Sequence, residues 1–482
     1  MVSIRKLLVI VLCLTSGFCS GKNPRSLSDR VGIEYLDSHF EDFDRLSKAI
    51  HSYAEPGYQE YRSSAALISF LEANGFSVEK GVAGIPTAFV ASFGSGSPVI
   101  GVLAEYDALP GLSQEGLPYR KPAAEGGYGH GCGHNLLGTG AAAAAVAISK
   151  WLAKGRQGTI KLFGCPAEEG GGAKNYMTRD GVFDGLDAVF IWHPSAKNAT
   201  DLKTGTACMS LNITFRGKSA HAGAAPWNGR SAFDAVESLD YMMNLMREHV
   251  KPETRIHYAV VRTNPAPNVV PDVATVQYYV RHPDVNYMKE VVSRLLKAAE
   301  GAAMGTGTEM SYEVLNGSYP VLANETLCRI VCEKQNIVGG VVLDGSEKAF
   351  LRELLKNSGR DPEDFGNFAK VSPSVEPYSM VGSSSDAGSV SFMAPMSKLY
   401  VASNIRGVAG HSWQQTAVSG TTIGTKASLN VGRIYYLVAL ELYTRPEILK
   451  AAKEEFWKAR GGKDFKYQSL VGDQKPPLDY RK

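Results

Sequence analysis

The sequence predicts an α/β fold carrying a second, smaller α+β domain inserted into it, on three observations. At 482 residues the chain is longer than one hydrophobic core usually grows. Between Pro98 and Ser195, apolar strand-like runs alternate with a strong helix former, and each run ends in polar residues. Near Cys208 the texture changes to alternating strands. The expected divisions are a leader over 1–21, a first catalytic part over 29–206, an insert over 207–318, a second catalytic part over 319–460 and a tail over 461–482.

The first residues place two cations ahead of a short apolar run, Leu7 to Leu14, and then small residues where a signal peptidase cuts. This reads as an export leader to a periplasmic or secreted location. Cys19 offers a lipid-attachment point, although Phe18 before it is the wrong size for that cleavage, and anchoring stays open.

From Asp29 to Lys80 the apolar spacing of three and four residues predicts helix. PVIGVLAEYDALPG then reads as a buried strand, followed by a glycine- and proline-rich loop through GHGCGHN; loops of that length in a compact domain are usually functional. GTGAAAAAVAISKWLAKG is a helix former, whereas TIKLFGCPAEEGGGA and DAVFIWHPS are strands ending in turns. SLNITFRG and a strand pair near Ile256 and Val273 belong to the insert, and NGSYPVLANE returns the chain to the first domain. The tail after Gly461 is polar and is expected to lie on the surface or fray.

Apolar residues make up 44% and charged residues 21%, a globular balance. With 51 basic against 48 acidic residues the net charge is +3, so no footprint for nucleic acid or an acidic membrane is present. Seven cysteines show no disulfide framework, and outside the leader an odd number remains, for which a metal ligand supplies a reason. Cys132 is the candidate.

Metal-binding residue types gather at strand ends and glycine-rich turns. Cys132 and His134, two apart on a loop, offer a thiolate and an imidazole to a borderline-soft ion; the alternative is a buried, inert thiol. In PAEEGGGA, two carboxylates after a buried strand need a cation or a proton. Their side chains diverge at a turn, so Glu169 is assigned to metal and Glu168 to general base, against the alternative of an exposed acidic turn. His193 and His411 each read equally as a ligand or a satisfied structural histidine. Asp107 is expected to fix the tautomer of a ligand histidine, or else to cap a turn. Asn268, Arg262 and Arg281 are available as donors to a substrate carboxylate, and Trp227 as a stacking or packing residue.

AEPGYQE, AEYDALPG, GHGCGHNLLGTG, PAEEGGGA, IWHPS, GKSAHAGAAPWNGRSA, NVVPD and GVAGHSWQ together resemble metallopeptidases of the aminoacylase, carboxypeptidase and hippurate-hydrolase type. The nearest resemblance is to the amidohydrolase branch that includes p-aminobenzoyl-glutamate hydrolase. It implies a central mixed sheet flanked by helices and a lid domain that dimerises. It also implies two divalent ions, manganese or zinc, on Cys132, His134, Glu169, His193 and His411, with Glu168 as base. His221 and Asn268 are implied to reach a substrate, often across a subunit interface. The implied reaction is hydrolysis of an amide in an N-acyl or aminobenzoyl amino acid; a dipeptidase on short basic dipeptides and an inactive binding subunit are the alternatives. A homodimer through the lid, or a heteromer with a homologous subunit, is the expected assembly. Many relatives read CGHD where this chain has Asn135, so any role of that acid is lost here.

Overall fold

The computed structural model describes residues 30–264 and 266–481. The leader, with Cys19, lies outside the described residues.

Eleven strands are present among the described residues: β1 (Ser77–Lys80), β2 (Phe89–Ser95), β3 (Val99–Ala104), β4 (Gly158–Gly164), β5 (Ala188–Ser195), β6 (Ala199–Thr200), β7 (Ala207–Arg216), β8 (Arg255–Arg262), β9 (Val273–His282), β10 (Glu309–Ser318) and β11 (Met396–Ala402). Seven form one sheet in the order β1-β2-β4-β3-β5-β11-β6. Its central pairs β4/β3, β3/β5 and β5/β11 are parallel, and antiparallel pairs flank them, so the sheet is mixed.

Parallel strands must be buried on both faces, and the central β3 and β5 are accordingly apolar from Val99 to Ala104 and from Ala188 to Trp192. On one face lies the helix His134–Leu152, whose run Ala141–Ala147 is buried throughout. Small side chains let the helix Thr422–Thr444 approach it closely: a Cβ on Gly432 would stand 2.9 Å from that of Ala143. Trp192 Nε1 donates to the Leu137 carbonyl at 3.0 Å and locks this helix to β5. The other face is filled by Phe163, Tyr176, Phe183 and Val189.

The remaining four strands form an antiparallel sheet, β10-β7-β9-β8, backed by the helices Ala232–Met246 and Val285–Thr306. Leu211, Ile213, Leu239, Val276 and Leu295 make its separate core. One edge strand, β8, keeps most of its residues exposed.

One expectation needs correction, and one alternative is decided. Helix was expected to about Lys80, but it stops at Ala73: Gly75, with φ near 89°, turns the chain, and Ser77–Lys80 pairs antiparallel with β2. The tail takes the surface alternative, anchored at two buried residues. Leu470 is buried in the core of the four-stranded sheet, Val471 is buried beside Phe163 and Tyr176, and the chain then runs back to the carboxyl edge of the large sheet. Phe465 and Tyr467 pack against the first of these cores and Leu478 and Tyr480 against the second, and side-chain donors to the tail's carbonyls, such as Gln59 to Leu478, hold the stretches between.

Candidate metal centre

The parallel strands β3, β4, β5 and β11 point their carboxyl ends to one edge, where side chains from several strands converge. Glu105 and Asp107 follow β3, Glu168 and Glu169 follow β4, and His193 stands near the end of β5. Cys132 arrives on the long loop and His134 opens the next helix. Gly133 between them has φ near 77°, and a Cβ there would fall 2.9 Å from Pro194 Cγ. A left-handed glycine thus starts the helix immediately behind Cys132 while leaving room for the turn after His193.

Ligand atoms fall into overlapping groups, each within 4.8 Å: Cys132 with His134 and His193, Cys132 with Glu169 and His411, and Glu105 with His134 and Glu168. The first two share the Cys132 sulfur. Cys132 Sγ lies 3.3 Å from His193 Nε2, and His411 Nε2 lies 3.4 Å from Glu169 Oε1.

Tautomers follow from the other ring nitrogens. His193 Nδ1–H donates to the Pro194 carbonyl at 2.8 Å, and His134 Nδ1–H donates to Asp107 Oδ1 at 2.7 Å. Both Nε2 lone pairs are therefore aimed into the cluster. Asp107 also accepts from the Glu169 N–H at 2.9 Å, so one carboxylate sets a histidine ring and the turn bearing two acids.

Burial disfavours the Asp107 carboxylate, but His134, the Glu169 N–H and Lys174 outweigh it and hold its pKa at about 2. Burial, together with Glu105, Glu169 and Asp386 nearby, drives the Glu168 carboxyl well above the carboxylate range. Burial pushes the Cys132 thiol up to about 12, despite His134. Burial is the larger cause of both shifts, and the neighbouring carboxylates add to it. His134 Nε2 and Glu169 Oε1 are buried with no hydrogen-bond partner, and a thiolate, imidazoles and a carboxylate suit a borderline divalent ion. The residues fit a pair of such ions.

Backbone strain collects here. His411 and Ala167, immediately before Glu168, are non-glycine residues at φ near 53° and 54°.

Sequence reasoning missed two neighbours. Glu105 Oε2 lies 3.4 Å from His134 Nε2, and its Oε1 lies 2.7 Å from Lys174 Nζ. Lys174, fully buried, also pairs with Asp386 at 2.7 Å. Glu105 stands at a strand end like Glu168, and the same rule finds it. Lys174 gave no signal, since a lysine in AKNYMTR looks like a solvated helix face.

Other residues lie elsewhere. His221 and Asn268 are exposed on the smaller domain, joined through the Ala222 N–H donating to the Asn268 carbonyl at 3.0 Å, and neither lines the cavity at the cluster. Trp227 and Arg262 are exposed, whereas Arg281 donates to Ser384 Oγ at 2.9 Å. Asn135 is buried, donating to the Ser419 carbonyl at 2.9 Å, so it ties helices together.

Residues 101–350, which carry every cluster residue except His411, match the model of peptidase family M20/M25/M40. The chain is 33% identical over 446 residues to a subunit of p-aminobenzoyl-glutamate hydrolase from Escherichia coli, covering 87% of this chain and 93% of that one. The chain belongs to the M20/M25/M40 peptidase family. This M20 chain is a metal-dependent amide hydrolase. It is also 28% identical to the Xaa-Arg dipeptidase of Homo sapiens, over 91% of this chain and 94% of that one. Among solved folds, an aminobenzoyl-glutamate utilization protein from Klebsiella pneumoniae superimposes with a TM-score of 0.56 at 18% identity, covering 82% of this chain and 97% of that one. A dinuclear metal binding peptidase of the M20 family from Bacillus subtilis gives 0.53 at 17% identity, covering 83% and 98%.

Proposed function

We propose that this M20 hydrolase cleaves the amide bond of an N-acyl or aminobenzoyl amino acid of the p-aminobenzoyl-glutamate kind. The carrying observation is the Cys132 sulfur shared by two ligand groups, with Glu168 beside them. Cys132, His134 and His193 would hold one divalent ion, and Cys132, Glu169 and His411 a second, manganese or zinc. When bound, such a pair supplies the Lewis acidity that polarises an amide carbonyl and makes water a nucleophile near neutral pH.

The chain's own residues move the protons. Glu168 takes one from the attacking water and returns it to the leaving amine. Asp107 holds the His134 ring by its Nδ1–H, and Lys174 holds Glu105 against the opposite edge of that ring. A cavity of about 490 Å³ adjoins the cluster and has room for one end of the substrate.

A second protein surface completes the reading. His221 and Asn268 stand away from the cluster within one chain, which favours their service to a partner's cavity. Exposed β8 and the exposed Tyr241 and Leu245 of the helix behind it support pairing through the smaller domain with a second copy. The Escherichia coli relative is named as one subunit of its hydrolase, which makes a homologous subunit the other candidate. The leader-like residues 1–21 support export.

Hydrolysis of p-aminobenzoyl-glutamate by the manganese- or zinc-loaded chain, monitored by p-aminobenzoate release, tests the reading. Loss on chelation and recovery on metal return is the expected result. No release from this or any N-acyl amino acid would overturn it.

A further inference from the structure

The cavity at the cluster is lined by charges of both signs. Glu105, Glu168 and Glu169 line it beside the cluster, and Lys197, Lys203 and Lys398 line it elsewhere together with Asp201. Two of those lysines are already neutralised. Glu376 takes Lys197 at 2.6 Å and Lys203 at 3.0 Å, and Asp201 stands 3.5 Å from Lys203.

Lys398 is different. Among the described residues, no carboxylate lies within ion-pair distance of its Nζ and no side-chain hydrogen bond is made to it. Asp201 acts on it only from beyond contact range, and the Tyr400 ring centroid is 5.8 Å away. Its burial pushes the ammonium pKa down, the cost of a cation with no counter-ion. Yet its head group is not among the sealed, unpartnered atoms of the interior, and it lines the cavity.

The sheet aims it. On β11, Lys398 pairs with Ile191 and Tyr400 with His193, so these four side chains share one face of the sheet. Lys398 stands two residues from the level of His193, about 7 Å along the strand. A carboxylate on the side chain of the amino acid lies several bonds beyond the scissile amide, a reach that matches the spacing from His193 to Lys398 along this face.

We propose that Lys398 is a specificity-determining residue that receives a carboxylate on the side chain of the substrate's amino acid. The preferred substrate is then a dianionic N-acyl amino acid, and a basic dipeptide is disfavoured by like charge. This rests on the hydrolase reading above and narrows it.

The test compares p-aminobenzoyl-glutamate, p-aminobenzoyl-glutamine and p-aminobenzoyl-arginine on the metal-loaded chain. The expected order of kcat/KM is glutamate, glutamine, arginine. Lys398→Met should cut the glutamate-to-glutamine ratio about tenfold or more, through KM. Lys398→Arg should keep the ratio. Removing an uncompensated cation should not lower the melting temperature of Lys398→Met, which separates recognition from misfolding.

Equal wild-type use of the glutamate and glutamine substrates would overturn the proposal and leave the hydrolase reading standing. A proportionate loss on both in Lys398→Met would also overturn it. Should none of the three be cleaved, calorimetric titration of p-aminobenzoyl-glutamate into the chain with and without Lys398→Met decides it separately: weaker binding supports the anion site, and equal binding refutes it.

Discussion

Glu168 is the residue whose removal should cost turnover without costing metal. Glu168→Gln keeps the shape and deletes the base, so kcat should fall about 10²- to 10⁴-fold with metal content unchanged; a rate near wild type would take Glu168 out of the base role. Asp107 acts one step removed, through the His134 ring. Asp107→Asn should lower metal affinity about 10- to 100-fold, measured by competition with a chelator, and unchanged affinity would refute the orienting role. Lys174 faces two buried carboxylates, at 2.7 Å each. Lys174→Met leaves both uncompensated and should destabilise the fold by about 3–5 kcal/mol in denaturant melts. Cys132, His134, Glu169, His193 and His411 were singled out in sequence by their joint occurrence at strand ends and glycine-rich turns, and the family resemblance implied them as one ligand set. Lys174 and Lys398 were not, because a lysine's burial depends on what the far side of the chain brings to it.

Elements place these residues more than propensity does. The central strands and the alanine-rich helix were readable because burial on both faces writes continuous apolar runs, whereas the mixed sheet was implied by the family resemblance. β1 was not readable: it carries only exposed or half-buried residues, and the turn at Gly75 that ends the helix before it leaves Ser77–Lys80 free to pair with β2. The helix start at His134 depends on Gly133 in the left-handed region against Pro194. Gly133→Ala should cost about 1–3 kcal/mol of stability and displace Cys132 from His134, lowering metal content in the same preparation. Full stability with full metal content would show that the turn tolerates a side chain.

At the scale of the whole molecule, the tail couples the two sheets to the centre. Leu470 and Val471 are buried in different cores, and Tyr480 Oη and Arg481 Nη2 both donate to the Glu169 carbonyl, at 3.1 and 2.6 Å. A polar sequence concealed this, since the docking relies on main-chain acceptors that leave no pattern in composition. In the proposed hydrolase, the Cys132 sulfur serves two metal sites. Metal stoichiometry of the purified chain and of Cys132→Ala, by elemental analysis alongside p-aminobenzoyl-glutamate hydrolysis, tests it most directly. The expected result is two ions and turnover in the first, and in the second the loss of both ions together with activity. Retention of two ions and turnover without the Cys132 thiolate would contradict it.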